Sequence, residues 1–132
     1  MKLFTEKIEF ELKYMPYAPK LFISALTGQR IHKLFELINV VYQNHAMRIS
    51  TGILNEVILE AASMHAPPTD KGVSLRIYYA VQVSVKPPTF VLFVNDKRLI
   101  HFSYHRYLEN NIRKSFNFFG TPIHFIFRDK KE

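Results

Sequence analysis

Lys86-Pro87-Pro88-Thr89-Phe90-Val91-Leu92-Phe93-Val94-Asn95 decides how this chain folds. Proline has no backbone N–H to give to a sheet ladder, so Pro87-Pro88 marks a connection between strands. Phe90 to Val94 is short, apolar on both faces and rich in β-branched and aromatic residues, the pattern of a buried strand. Upstream, Leu75, Ile77, Tyr79, Val81, Val83 and Val85 alternate with Ser74, Arg76, Tyr78, Ala80, Gln82 and Ser84, which predicts a strand from Val73. Downstream, Tyr104, Tyr107, Leu108, Ile112 and Phe116 predict a helix. A last strand, Ile123 to Arg128, follows Phe118-Phe119-Gly120-Thr121-Pro122. A helix joining two strands predicts that they are parallel neighbours with a right-handed crossover. Before the first strand, Ser50 and Thr51 stand ready to cap a helix with Leu54, Val57, Ile58, Ala61 and Ala62 inward, and Pro67-Pro68 stops it.

Residues 49–132 therefore read α–β–β–α–β, an α+β unit with a three-stranded mixed sheet. Val91, Phe93, Ile126 and Tyr78 fall opposite Phe90, Leu92 and Ile123. Two helices cover only one face, so the second apolar face is expected to dock on a neighbouring domain.

Residues 1–48 read differently. Leu3, Phe4, Ile8 and Leu12 recur at helical spacing up to Pro16, and Leu21-Phe22-Ile23 suits a buried strand. After Gly28, the residues Ile31, Leu34, Phe35, Ile38, Val41 and Tyr42 predict an amphipathic helix to about Gln43. The α–β–α order belongs to a parallel α/β sheet, yet a lone strand has no partner there. This piece is expected to be an incomplete domain whose strand is mobile, re-packed or paired with another chain.

The 132 residues carry a net charge of +7 and no cysteine. Eight Lys/Arg against three acidic residues fall between Lys97 and Glu132, which favours a polyanionic partner, with a solubilising surface as the alternative. The absence of disulfides, of an apolar leader and of any membrane-length apolar run reads as a soluble, cytoplasmic chain with no membrane span.

The wording of several segments is specific. Phe22-Ile23-Ser24-Ala25-Leu26-Thr27-Gly28, Arg48-Ile49-Ser50-Thr51, Leu54-Asn55, Tyr79-Ala80-Val81-Gln82-Val83, Lys86 to Asn95, His101-Phe102-Ser103-Tyr104 and Arg106-Tyr107-Leu108-Glu109-Asn110 closely resemble the EngA/Der family. These are bacterial GTPases with two tandem GTP-binding domains and a C-terminal KH-like domain, acting in assembly of the large (50S) ribosomal subunit. Ser84, where the family often has Gly, is a departure. The resemblance implies that residues 1–48 are the end of the second P-loop GTP-binding domain and residues 49–132 the KH-like domain, with Met1 an arbitrary start in a longer chain. The implied partners are the large ribosomal subunit with its rRNA and the protein's own GTP-binding domains. GTP and Mg²⁺ would be cofactors of the full-length protein.

The same resemblance assigns Ser24, Ala25 and Leu26 to the guanine pocket, largely through backbone groups; an ordinary strand-to-helix loop is the alternative. No G-x-x-x-x-G-K-[ST] or N-K-x-D motif is present, so this chain alone is expected to hold no cofactor and to hydrolyse no GTP. KH domains clamp phosphates with a G-x-x-G loop, but Arg98-Leu99-Ile100-His101 stands at that place without glycine, a departure the family shares. RNA contact is then expected from the side chains of Lys97, Arg98, His101, His105, Arg106, Arg113 and Lys114, mostly to phosphates. The alternative is a solvated helix face, with the KH-like domain regulating its GTP-binding domains without touching RNA. His101 and His105 lie four apart but have no third ligand nearby in sequence, so no metal site is expected. Tyr104 and Tyr107 read as core, and His65 as a surface or capping residue rather than a catalyst.

Overall fold

The computed structural model describes residues 1–130; Lys131 and Glu132, counted above in the basic stretch, lie outside the described residues. In chain order the elements are α1 (Lys2–Glu11), α2 (Ile31–His45), α3 (Thr51–Met64), β1 (Thr69–Asp70), β2 (Val73–Ser74), β3 (Ile77–Ser84) and β4 (Thr89–Val94). A short 3-10 turn (Lys97–Leu99), α4 (Phe102–Ser115) and β5 (His124–Asp129) follow.

The sheet runs β3-β4-β5, with β3 antiparallel and β5 parallel to β4, so it is mixed as expected. Register sets the faces. Phe90 lies between Gln82 and Phe125, and Leu92 between Ala80 and Phe127, all toward the helices. Leu54, Ile58 and Ala61 of α3 and Tyr104, Leu108 and Ile112 of α4 close over them, and Phe118 plugs the end against Phe90. Ser50 caps α3 by accepting a hydrogen bond from Ile53 N, satisfying one of the free amides of the first turn. The opposite face carries Tyr79, Val81, Val91, Phe93 and Ile126, with Tyr79 stacked on Phe93 at 4.6 Å between ring centroids. On that face Tyr79 and Ile126 are exposed, while Val91 is buried.

Four sequence expectations need correction. The alternation from Val73 does not make one strand: an irregularity between Ile77 and Tyr79 shifts the pattern by one residue. Leu75 and Ile77 are buried, and beyond the shift Ala80 and Gln82 take the inner positions while Tyr79, not Tyr78, joins the outer face. Ahead of it, β1 and β2 form a small hairpin through Lys71 and Gly72, both at positive φ (50° and 80°), the geometry of a tight two-residue turn. Leu21–Ile23 forms no strand, since no neighbour supplies its ladder bonds; only an isolated bridge, Ser24 to Gln29, is made there. Finally, α4 starts at Phe102, before the expected start near Tyr104.

Helices α1 and α2 leave much of their apolar surface exposed. No residue of α1 is buried, and Leu3, Phe4 and Phe10 face solvent, as do Phe35 and Ile38 of α2.

Candidate nucleic-acid interface

The turn from Asn95 to His101 connects β4 to α4. Asp96 shapes it: its carboxylate accepts hydrogen bonds from Arg98 N at 2.9 Å and from the Arg98 guanidinium at 2.9–3.3 Å. Those guanidinium bonds hold the Asp96 carboxyl below its ordinary pKa and raise that of Arg98. From the far edge, Asp129 accepts from Lys97 N at 2.6 Å, fixing the turn to the end of β5. Lys97, Arg98, His101 and Phe102 are exposed on this turn, and one helical turn on the Arg106 guanidinium lies 4.9 Å from the centre of the Phe102 ring. Lys114 is exposed near the other end of α4.

The seven expected RNA contacts thus divide. Lys97, Arg98 and His101 are exposed on the turn before α4, Arg106 is exposed one turn into the helix beside Phe102, and Lys114 is exposed near its other end. Arg113 is engaged internally: it donates to Phe118 O (3.2 Å), Thr121 O (3.0 Å) and Glu109 Oε1 (3.4 Å), tying the loop after α4 back to the helix. His105 is half-buried, with its ring 5.4 Å from both Phe125 and Phe127. His101 is exposed at the N-cap of α4, and among the described residues no three His, Asp or Glu cluster as a metal would need.

The segment Ser24 to Gln29 is a tight loop. Ser24 Oγ accepts from Thr27 N at 3.3 Å, Ser24 O accepts from Gly28 N at 2.9 Å, and Gly28 has φ 72°. Ala25 and Leu26 form its exposed tip, Leu26 being 97% exposed. Their backbone amides have no acceptor among the described residues.

The family model described as the KH-domain-like, C-terminal part of EngA bacterial GTPase enzymes matches residues 48–128. This chain belongs to that family. It is 61% identical over 132 residues to GTPase Der of Agathobacter rectalis, covering 100% of this chain and 30% of the relative. It is 56% identical over 129 residues to GTPase Der of Lachnoclostridium phytofermentans, covering 98% and 29%. With GTPase Der of Streptococcus pneumoniae it shares 53% over 131 residues, 99% and 30% of the two chains. The chain therefore spans about 30% of the length of the relatives it matches.

In this EngA-type KH-like domain, amide side chains do work that charge and periodicity did not reveal. Gln82, buried on β3, accepts from Ile49 N at 2.8 Å and donates to Met47 O at 2.9 Å, anchoring the segment between α2 and α3. Asn55 pairs with both backbone groups of Ala80 at 2.8 Å each, satisfying the free edge of β3. Asn44, at the end of α2, donates to Phe119 O at 3.0 Å, and His45 Nδ1 lies 2.8 Å from Thr121 Oγ1. Gly120 sits beneath α2 at φ 82°, where a Cβ would overlap Val41 Cγ2. The only sequence signal for these groups was Asn, Gln or His inside an otherwise apolar pattern.

Proposed function

We propose that this chain is the C-terminal portion of a cytoplasmic tandem-domain GTPase that works on the large ribosomal subunit during its assembly, with the KH-like domain as an RNA anchor. The observation that carries this reading is the exposed basic run of Lys97, Arg98 and His101 on the turn before α4, followed by Arg106 beside the exposed Phe102 ring. Phosphate contact by side chains replaces the glycine loop, because Arg98-Leu99-Ile100-His101 has no glycine to let the main chain approach. Residues 1–48 would close the second GTP-binding domain, with Ala25 and Leu26 offering main-chain donors to guanine and Ser24, its own amide bonded to Gln29 O, shaping the loop that presents them. The rest of that protein would hold GTP and Mg²⁺. The apolar outer face of Tyr79, Val81, Phe93 and Ile126 is the surface for docking on the GTP-binding domains.

Reversing Arg98 and Arg106 to Glu in the full-length protein tests the anchor. Affinity for isolated large subunits should fall about tenfold or more at physiological salt. Unchanged affinity would instead support a domain that acts only on its own GTP-binding domains, whose deletion alters GTP turnover and leaves RNA binding untouched.

A further inference from the structure

A crevice of about 1170 Å³ separates the N-terminal segment, residues 13–20, from α4 and the loop at residues 117–120. One wall presents Lys13 and Tyr14, the other Phe102 and Arg106, while Arg113 and Glu109 form a neutralised pair between them. Among the described residues neither Lys13 nor Arg106 has an acidic partner, so the crevice carries net positive charge. Tyr14 is 70% exposed and Phe102 73% exposed, leaving aromatic faces available at the rim. The volume exceeds the roughly 300–1,000 Å³ of a small-molecule pocket, and the lining, apolar in its larger part, sets cations beside aromatic rings. Cations tracking a groove with aromatic platforms beside them are the chemistry that holds an unpaired nucleic-acid strand: phosphates pair with the cations and bases stack on the rings. A duplex does not offer its base faces in this way.

We propose that this crevice holds a short unpaired RNA segment, with Tyr14 and Phe102 stacking on bases and Lys13 and Arg106 meeting phosphates. It rests on the RNA-anchor reading but reaches beyond the turn at residues 97–101, since half of it comes from the N-terminal segment. The Arg106 guanidinium lies 4.9 Å from the centre of the Phe102 ring, and the 73% exposure of Phe102 leaves ring surface for a base. An RNA strand would then bridge the end of the GTP-binding domain and the KH-like domain.

Fluorescence anisotropy of an eight-nucleotide oligouridine with the 132-residue chain at low salt, beside a blunt RNA duplex of the same length, reads this directly. The oligouridine should bind more tightly than the duplex, and Tyr14→Ala, Phe102→Ala and Lys13→Glu should each weaken it about fivefold or more. These side chains are exposed, so matching thermal melts will confirm that the variants fold. If Arg98→Glu weakens oligouridine binding while Tyr14→Ala and Lys13→Glu do not, the RNA anchor stands and the crevice is overturned. Equal binding of duplex and single strand also overturns it. If no variant, Arg98→Glu included, changes the binding, both readings fail.

Discussion

Asp96 sets how much of the Arg98 charge is available. The carboxylate forks onto the guanidinium and also caps the 3-10 turn through Arg98 N, so it positions the arginine while offsetting it. Asp96→Asn keeps an N-cap acceptor and removes the charge. Binding to RNA should tighten, and the plot of log affinity against log salt should steepen by up to about 0.9, the increment for one more neutralised phosphate; an unchanged slope would mean that Arg98 does not meet a phosphate. A second residue reports on the core. Burial, with Tyr107 beside it, pushes the Tyr104 phenol from 10.0 up to about 12, and its hydroxyl donates to His65 O at 3.1 Å. The folded state binds that proton more tightly than the unfolded chain, so its stabilisation is complete below pH 10 and disappears as pH rises through 12. Chemical denaturation across that range should show stability falling, and Tyr104→Phe should flatten the fall while costing about 1 kcal/mol at neutral pH. Gln82→Ala leaves Ile49 N and Met47 O without their partner and should cost about 1–3 kcal/mol in the same assay.

At the scale of elements, the two halves of the chain hold together through α2. Its last turn is hooked to the loop after α4 by Asn44 and His45, its end receives Lys86 N at His45 O (2.8 Å), and Val41 rests on Gly120. Helix α1 has no buried residue. Amide hydrogen exchange should therefore rank α1 among the fastest-exchanging elements, the C-terminal turns of α2 as protected, and β4 with α3 as slowest. Gly120→Ala, strained at positive φ and driven into Val41, should speed exchange at the end of α2; exchange there unchanged would show the hook is not tight.

Periodicity made α3, α4, β4 and β5 readable, because each buries one regular face or a continuous apolar run. It failed where geometry departs from regular spacing. The shift after Ile77 swaps inner and outer residues, but Tyr78 and Tyr79 look alike to an alternating pattern. Leu21–Ile23 has the composition of a strand and lacks neighbours, and composition does not register neighbours. The basic run at the start of α4 was legible as charge. That Arg113 and His105 point into internal contacts was not, since a helix face is set by its packing partners.

As a whole molecule, the chain presents a closed core on one side of its sheet, a partly exposed apolar face on the other, and a basic end where α4 begins. No helix among the described residues is long and apolar enough to cross a membrane. The charge is asymmetric, and an asymmetric basic surface confers affinity for polyanions that falls with salt. The decisive measurement for the RNA anchor is binding of the chain to large-subunit ribosomal RNA at low and at physiological salt, beside the Arg98→Glu, Arg106→Glu double variant. Binding should be tight, weaken steeply with salt and be lost in the variant. No binding at low salt, or equal binding by the variant, would contradict the anchor and leave the basic end without a role in RNA recognition.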